Sequence, residues 1–333
     1  MKRVRRLAVA AWTAGLLLLA GFAALNLLAC RHARAMLHYA PGGTRTARPE
    51  DLAPADRLRV LLSGVHLPRP EDAMPPAALA PDAREVTIPV PGGITLCAWQ
   101  ASRGPDAPLV LFFHGYSTEK TRLLREAREL HRLGASVLLV DFRGSGGSSE
   151  SYSTLGWLEA EDVAAAVAFA RRNLPASRLV LYGQSMGSAA ILRAIHARDV
   201  RPDAVILESV FDTLLNAIRS RFRAMGVPPF PSAQLMTFWG GRQFGFNGFA
   251  HRPVRAARSL ACPALFLHGR DDPRAPVEQA RRVFDAAPGP QKSFVTFDGV
   301  GHGSYAAAHP DAWRSLVADF LNLPALQSPG PTP

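Results

Sequence analysis

The chain has 333 residues, 48% hydrophobic and 20% charged, which is ordinary globular composition with enough length for a large buried core. Its net charge of +11 is weighted to the front: Lys2, Arg3, Arg5, Arg6, Arg31 and Arg34 meet no acid in the first 34 residues, leaving 32 basic and 27 acidic residues elsewhere. No Lys/Arg cluster with interleaved aromatics stands out, which excludes nucleic acid as a partner, and three cysteines (Cys30, Cys97, Cys262) without a C-x-x-C exclude a disulfide framework and a cysteine zinc site.

Residues 7–29 run without a charge and with one amide, Asn26. A helix of about 20 apolar residues spans a bilayer. The larger positive cluster precedes the run and stays cytoplasmic, which puts the rest of the chain outside the cytoplasm. Residues 1–36 are therefore expected to be a membrane anchor. Two alternatives stay open: a lipoprotein signal ending at Leu27-Leu28-Ala29-Cys30, and a cleaved signal peptide, whose apolar region is normally shorter. Residues 37–84 are rich in Pro, Ala and charge and read as an extended connection with one short apolar or helical piece near Leu58–Val65.

Strand-like runs follow at Glu85–Val90, Ile94–Ala101, Leu109–Phe113, Ser136–Asp141, Leu179–Tyr182, Ala204–Leu207, Ala264–Leu267 and Ser293–Phe297. Helical patterns occupy Glu119–Leu133, Leu158–Asn173, Met186–Ala197, Val277–Ala287 and Pro310–Leu323. From Leu109 onward strands and helices alternate, which predicts an α/β fold with a mostly parallel sheet covered by helices on both faces. Pro91-Gly92-Gly93 joins the first two strands as a hairpin, so that edge is antiparallel. Residues 213–258 break the alternation with seven aromatics, five glycines and Pro228, Pro229 and Pro231 among their prolines, and read as a cap insertion over the sheet's C-terminal edge. Most of those aromatics are expected to pack the cap onto the body. The domain is expected over 85–325, with a disordered Pro-rich tail at 326–333.

Ligands of open parallel sheets bind beyond the carboxyl ends of the strands. The strand at 179–182 ends in Gly183-Gln184-Ser185-Met186-Gly187, and a small-residue helix follows. A sharp strand-to-helix turn holds a serine hydroxyl clear of the sheet, and the helix N-terminus favours developing negative charge, so Ser185 is the candidate nucleophile. Two amides must meet the oxyanion. They are expected from Met186, the residue after the nucleophile, and from Tyr116, in the loop His114-Gly115-Tyr116-Ser117 after an earlier strand. His268-Gly269-Arg270-Asp271-Asp272-Pro273 supplies the carboxylate: Asp272 is favoured and Asp271 is the alternative. His302, in the loop Gly299-Val300-Gly301-His302-Gly303, completes the order Ser, acid, His as the base. His114 precedes Ser185 and breaks that order.

The Gly-rich stretch Asp141-Phe142-Arg143-Gly144-Ser145-Gly146-Gly147-Ser148-Ser149 fails as a dinucleotide fingerprint because position 149 is Ser, and Glu119-Lys120-Thr121 is no P-loop. It reads as a structural turn in which Asp141 and Arg143 bond neighbouring loops.

The set HGY, DFRGSGGSS, GQSMG, HGRDDPRAP and GVGHGS, in that order over residues 85–323, resembles the α/β-hydrolase superfamily. Within it the chain is most similar to the serine aminopeptidase-like and lysophospholipase or monoacylglycerol-lipase-like branch, which includes membrane-anchored bacterial members. The resemblance implies an eight-stranded sheet, no metal and no cofactor, and an acyl-serine intermediate on Ser185. A carboxylic ester hydrolase acting on a small acyl ester or lipid follows, with thioesterase, acyltransferase, peptidase and non-catalytic binding protein as alternatives. HGYS stands where some lipases carry HGGG, so the oxyanion-loop subtype stays open.

Overall fold

The computed structural model describes residues 2–289 and 291–323; the tail expected to be disordered lies outside them. Chain order is α1 (Lys2–Leu37), α2 (Pro54–Ser63), β1 (Arg84–Val90), β2 (Ile94–Ala101), β3 (Leu109–Phe113), α3 (Leu124–Arg132), β4 (Ser136–Val140), α4 (Glu159–Asn173), β5 (Leu179–Gln184), α5 (Met186–Ala197), β6 (Ala204–Glu208), α6 (Leu214–Ala224), α7 (Ser232–Gln243), α8 (Pro253–Ala256), β7 (Ala264–Gly269), α9 (Val277–Ala286), β8 (Lys292–Phe297), α10 (Tyr305–Ala308) and α11 (Pro310–Leu321). The strands form one eight-stranded sheet in the order β1-β2-β4-β3-β5-β6-β7-β8. β1 pairs antiparallel with β2, and β2 with β4; β3 to β8 run parallel to one another.

β3 shows why the central strands read as unbroken apolar runs. Leu109, Leu111 and Phe113 point to the face covered by α4, α5 and α9. Val110 and Phe112 point to the other face, under α3 and α11, where Trp313 is fully buried. Both faces are dry, so a period of two gives no polar alternation. Local chemistry sets the helix ends. Thr213 accepts a hydrogen bond from Asn216 N (3.1 Å) at the start of α6, and Asn322 in the left-handed region (φ 51°) closes α11. Residues 119–123 differ from the expected helix: Lys120–Leu123 form a 3₁₀ turn, and the α-helix starts at Leu124.

The anchor and the connecting segment are more integrated than composition suggests. α1 contains a stretch long and apolar enough to cross a membrane. Its large apolar side chains, Trp12 and Leu16–Leu19 among them, are exposed until Ala29, which is buried. From there Ala29 and Leu37 join a cluster with Leu52, Val60, Leu214, Ile218, Phe222 and Met236. Asn26, the one amide of the apolar run, bonds back to Phe22 O (2.9 Å) and accepts from Trp239 Nε1 (3.2 Å) on α7. The cap thus combines the end of α1, residues 38–67 and the α6–α7 pair. Within 213–258, Phe222 is buried, and Phe246 stacks on Trp157 at 4.4 Å between centroids. Phe230, Phe238 and Phe249 remain exposed.

Candidate active site

Ser185 occupies the bend between β5 and α5 with φ 54° and ψ −107°, outside the comfortable region for an L-residue. The flanking glycines are steric requirements. A Cβ on Gly187 would lie 2.1 Å from Phe113 O, and one on Gly183 2.6 Å from Ser188 N. The bend is pinned from β6: Glu208 O accepts from Ser185 N (2.8 Å) and from Ser188 Oγ (2.9 Å). Met186 opens α5, so its N–H belongs to the first helical turn, where amides lack intrahelical partners. The loop after β3 comes alongside, and a Cβ on Gly115 would sit 3.8 Å from Ser185 Cβ. Tyr116 follows it and donates its hydroxyl to Met36 O of α1.

His302 arrives from the loop after β8. Its Nε2 lies 3.0 Å from Ser185 Oγ and its Nδ1 2.6 Å from Asp272 Oδ2. Asp272 sits buried in the loop after β7, and its other oxygen accepts from Arg274 N (2.9 Å) and Ala275 N (3.0 Å). Burial pushes this carboxyl up, but His302 and the amides outweigh burial and hold it below the usual carboxylate range. Asp271 is exposed and makes no side-chain bond among the described residues. Of the two aspartates, the structure brings Asp272 to His302. A second imidazole, His268, lies 3.8 Å from the same Asp272 oxygen and is held by Ala275 O (2.7 Å). His114 is fully buried with both ring nitrogens engaged: Nδ1 donates to Gly115 O (2.8 Å), and Nε2 accepts from Phe142 N (3.1 Å). Burial lowers its pKa to about 4, so it is a neutral loop brace.

A cavity of about 540 Å³ opens over Ser185 and His302. Val60, Leu61, Ile218, Phe222, Met225 and Met236 give it an apolar wall, and α1 contributes His32 and Met36. The wall from α1 and residues 45–67 was not expected from the sequence, because a Pro-rich segment without periodicity carries no sign of what it covers.

The Gly-rich turn after β4 works as a brace. Arg143 forks onto Asp162, with contacts of 2.6 to 3.1 Å, and reaches Glu161. Asp141 bonds Lys120 Nζ (2.6 Å), Lys120 N (2.8 Å) and Gly147 N (3.0 Å). Asp72, Cys97 and Asp141 hold ligand-type atoms within 4.8 Å of one another. Lys120 Nζ fills that space, 2.6 Å from both Asp72 and Asp141, so the cluster is a buried ion-pair network.

A parallel sheet with an antiparallel edge, a serine on a strained strand-to-helix bend, and a histidine and an acid from the loops after the last two strands together define a known architecture. Two family models match the chain in order: one described as serine aminopeptidase, S33, over residues 104–217, and one described as TAP-like protein over 247–332. The chain belongs to the α/β-hydrolase superfamily. This α/β-hydrolase is 26% identical over 253 residues to an uncharacterised protein of Mycobacterium tuberculosis, covering 75% of this chain and 83% of that protein. It is 24% identical over 268 residues to lysophosphatidylserine lipase ABHD12 of Danio rerio, covering 71% of this chain and 65% of the relative. Among solved structures, an esterase of Pyrococcus furiosus superposes with a TM-score of 0.65 at 23% identity, over 77% of this chain and 96% of that one.

Proposed function

We propose that the chain is a membrane-anchored serine hydrolase that cleaves carboxylic ester bonds of acyl lipids. The observation that carries this reading is the continuous line Ser185 Oγ–His302–Asp272 beneath an apolar cavity. Ser185 attacks the ester carbonyl while His302 Nε2 takes its proton. The amides of Met186 and Tyr116 stabilise the oxyanion. His302 then returns the proton to the departing alcohol, and water admitted to the same geometry releases the fatty acid. Asp272 holds the imidazole in the tautomer with Nδ1–H and stabilises its protonated form.

The acyl chain finds its place along Ile218, Phe222, Met225 and Met236, in a cavity of the size that small-molecule sites occupy. α1 crosses the bilayer with Lys2, Arg3, Arg5 and Arg6 on the cytoplasmic side, which puts the catalytic domain outside the cytoplasm. The name of the Danio rerio relative, a lysophosphatidylserine lipase, supports a lysophospholipid-type ester.

The serine aminopeptidase model suggests a second reading. A peptidase that reads an α-ammonium group needs carboxylates at its cavity. Here arginines dominate the polar lining, which favours the ester.

The test is labelling of detergent-solubilised full-length protein with a fluorophosphonate probe. Wild type is expected to label and Ser185→Ala to stay blank. Equal labelling of both, or of neither, refutes the reading. An ester panel of rising chain length is expected to peak beyond acetyl and butyryl.

A further inference from the structure

We propose that Arg221 binds an anionic phosphate on the substrate, so that the cavity selects phosphate-bearing monoacyl lipids over neutral acyl esters. This rests on the ester-hydrolase reading of Ser185 and deepens it.

Five arginines line the cavity: Arg45, Arg48, Arg122, Arg221 and Arg274. Their partners differ. Arg274 forks onto Glu50 (2.5 and 3.0 Å), and Arg45 donates to Ser117 O (2.6 Å). Arg221 projects from α6 with one bond, from a terminal nitrogen to Ala217 O (3.0 Å). Its guanidinium stands 5.8 Å from the centroid of the Tyr116 ring. No carboxylate among the described residues lies within ion-pair distance of it. The acids nearby are committed, Asp272 to His302 and Glu50 to Arg274. Asp51 lines the cavity as well and makes no ion pair among the described residues. Burial is the largest influence on Arg221 and destabilises its charged form.

A guanidinium carries five donors in a planar fork, and four of these are unused here. Arg221 is half-buried, so holding its charge there without a counterion carries a cost, and a phosphate matches the fork's geometry. The position suits a headgroup. The Arg221 guanidinium faces the Tyr116 ring, and Tyr116 adjoins Gly115, which lies alongside Ser185. The anion would therefore lie a few atoms from the scissile ester, beside Ile218 and Phe222 of the same helix and Met225 at its C-cap, where the wall that takes the chain meets the catalytic end of the cavity.

α1 supplies an independent argument. Its apolar run ends at Ala29, and His32 and Met36 line the cavity. At 1.5 Å per residue these two positions stand about 5 and 10 Å beyond the run. The headgroup layer reaches about 5–7.5 Å over the hydrocarbon core, so His32 stands within it and Met36 just beyond. The helix thus sets the cavity at the level of lipid phosphates.

The test uses full-length protein in neutral detergent micelles and two substrates with the same chain, 1-oleoylglycerol and 1-oleoyl lysophosphatidate. Wild type is expected to favour the phosphate substrate in kcat/KM by about thirtyfold, which equals about 2 kcal/mol. Arg221→Gln is expected to collapse that ratio towards one, mainly through KM. Arg221→Lys, which keeps the charge without the fork, is expected to retain part of it and serves as the measure if the Gln variant folds poorly. A wild-type preference for the neutral ester, or a ratio that both variants leave unchanged, overturns the proposal. If Ser185 does not label and neither ester is cleaved, the hydrolase reading fails by itself. Calorimetric binding of dodecyl phosphate against dodecanol then decides the anion site: tighter binding of the phosphate by wild type, lost in Arg221→Gln, supports it, and equal binding overturns it.

Discussion

Replacing Asp272 by Asn is the sharpest test of the proposed chemistry, because it removes a charge while preserving shape. In the native site one Asp272 oxygen accepts from Arg274 N and Ala275 N, and the other faces His302 Nδ1 at 2.6 Å. An asparagine oxygen keeps the two amide bonds, which forces the side-chain NH₂ towards His302. That NH₂ donates, so Nδ1 must accept, and the imidazole proton moves to Nε2. Nε2 then points a proton at Ser185 Oγ, 3.0 Å away, and no longer accepts one. Loss of the tautomer and of the buried carboxylate's support for the imidazolium is expected to lower kcat by about 10⁴-fold, or about 5 kcal/mol. Turnover of a chromogenic ester such as p-nitrophenyl octanoate measures it, and circular dichroism checks the fold. Asp271→Asn, at an exposed carboxylate, is the control and is expected to stay within a factor of two. Asp272→Asn within tenfold of wild type, or a crippled Asp271→Asn, would refute the reasoning.

Gly187→Ala is expected to abolish folded protein or cost more than about 3 kcal/mol in thermal denaturation, because its Cβ would stand 2.1 Å from the Phe113 carbonyl in the packed sheet. Lys120→Met leaves Asp141 buried without its cation, and a loss of about 3–5 kcal/mol is expected, read as a Tm drop on the order of 10 °C. The share of stability that His114 and His251 contribute should be lost as pH drops from 6.5 towards 4, while the buried carboxyls of Asp141, Asp162 and Glu208, which burial raises, act in the opposite direction. His114 and His251 are both held neutral by burial, with pKa about 4 in the fold, so below 6.5 the unfolded chain binds more protons. Each imidazole contributes on the order of 3 kcal/mol across that window. His251→Gln, which can keep a bond to Leu155 O, should gain Tm relative to wild type at pH 4 compared with the same difference at pH 6.5, and an unchanged difference would count against the buried neutral imidazole.

The central sheet was legible because both of its faces are buried: strands such as β3 and β5 are apolar runs bounded by turns, and their observed limits fall within two residues of those expected. The hairpin edge was legible from Pro91-Gly92-Gly93. Ser185, Asp272 and His302 stood out because each follows a strand in a short Gly-rich loop, where side-chain chemistry is unusual. Helices α6 and α7 within 213–258 were not read from the sequence although the signal existed. Leu214, Ala217, Ile218 and Phe222 share one face at helical spacing, but the prolines and aromatics around them carry a loop-like pattern that masks it. The cavity wall from residues 45–67 had no such signal. Its place depends on distant pairings, such as Ala40 with Pro68 and His32 with Leu61 O (3.0 Å), which local pattern does not encode. Arg221 was illegible for a related reason: an arginine on a helix reads as solvated until the fold closes over it.

α1 runs without a break from Lys2 to Leu37 and ends as part of the cavity wall, bonded to Trp239 and Tyr116 on the way. No hinge separates the proposed bilayer span from the site. On that reading the orientation of the helix in the membrane is also the orientation of the catalytic mouth. A helix answers a bilayer thinner than its apolar length by tilting, and a thicker one by drawing flanking residues inward. Bilayer thickness then becomes a control variable for turnover: vesicles of graded acyl length should show an optimum, where the mouth lies level with the substrate's ester. An enzyme on a flexible tether would show none.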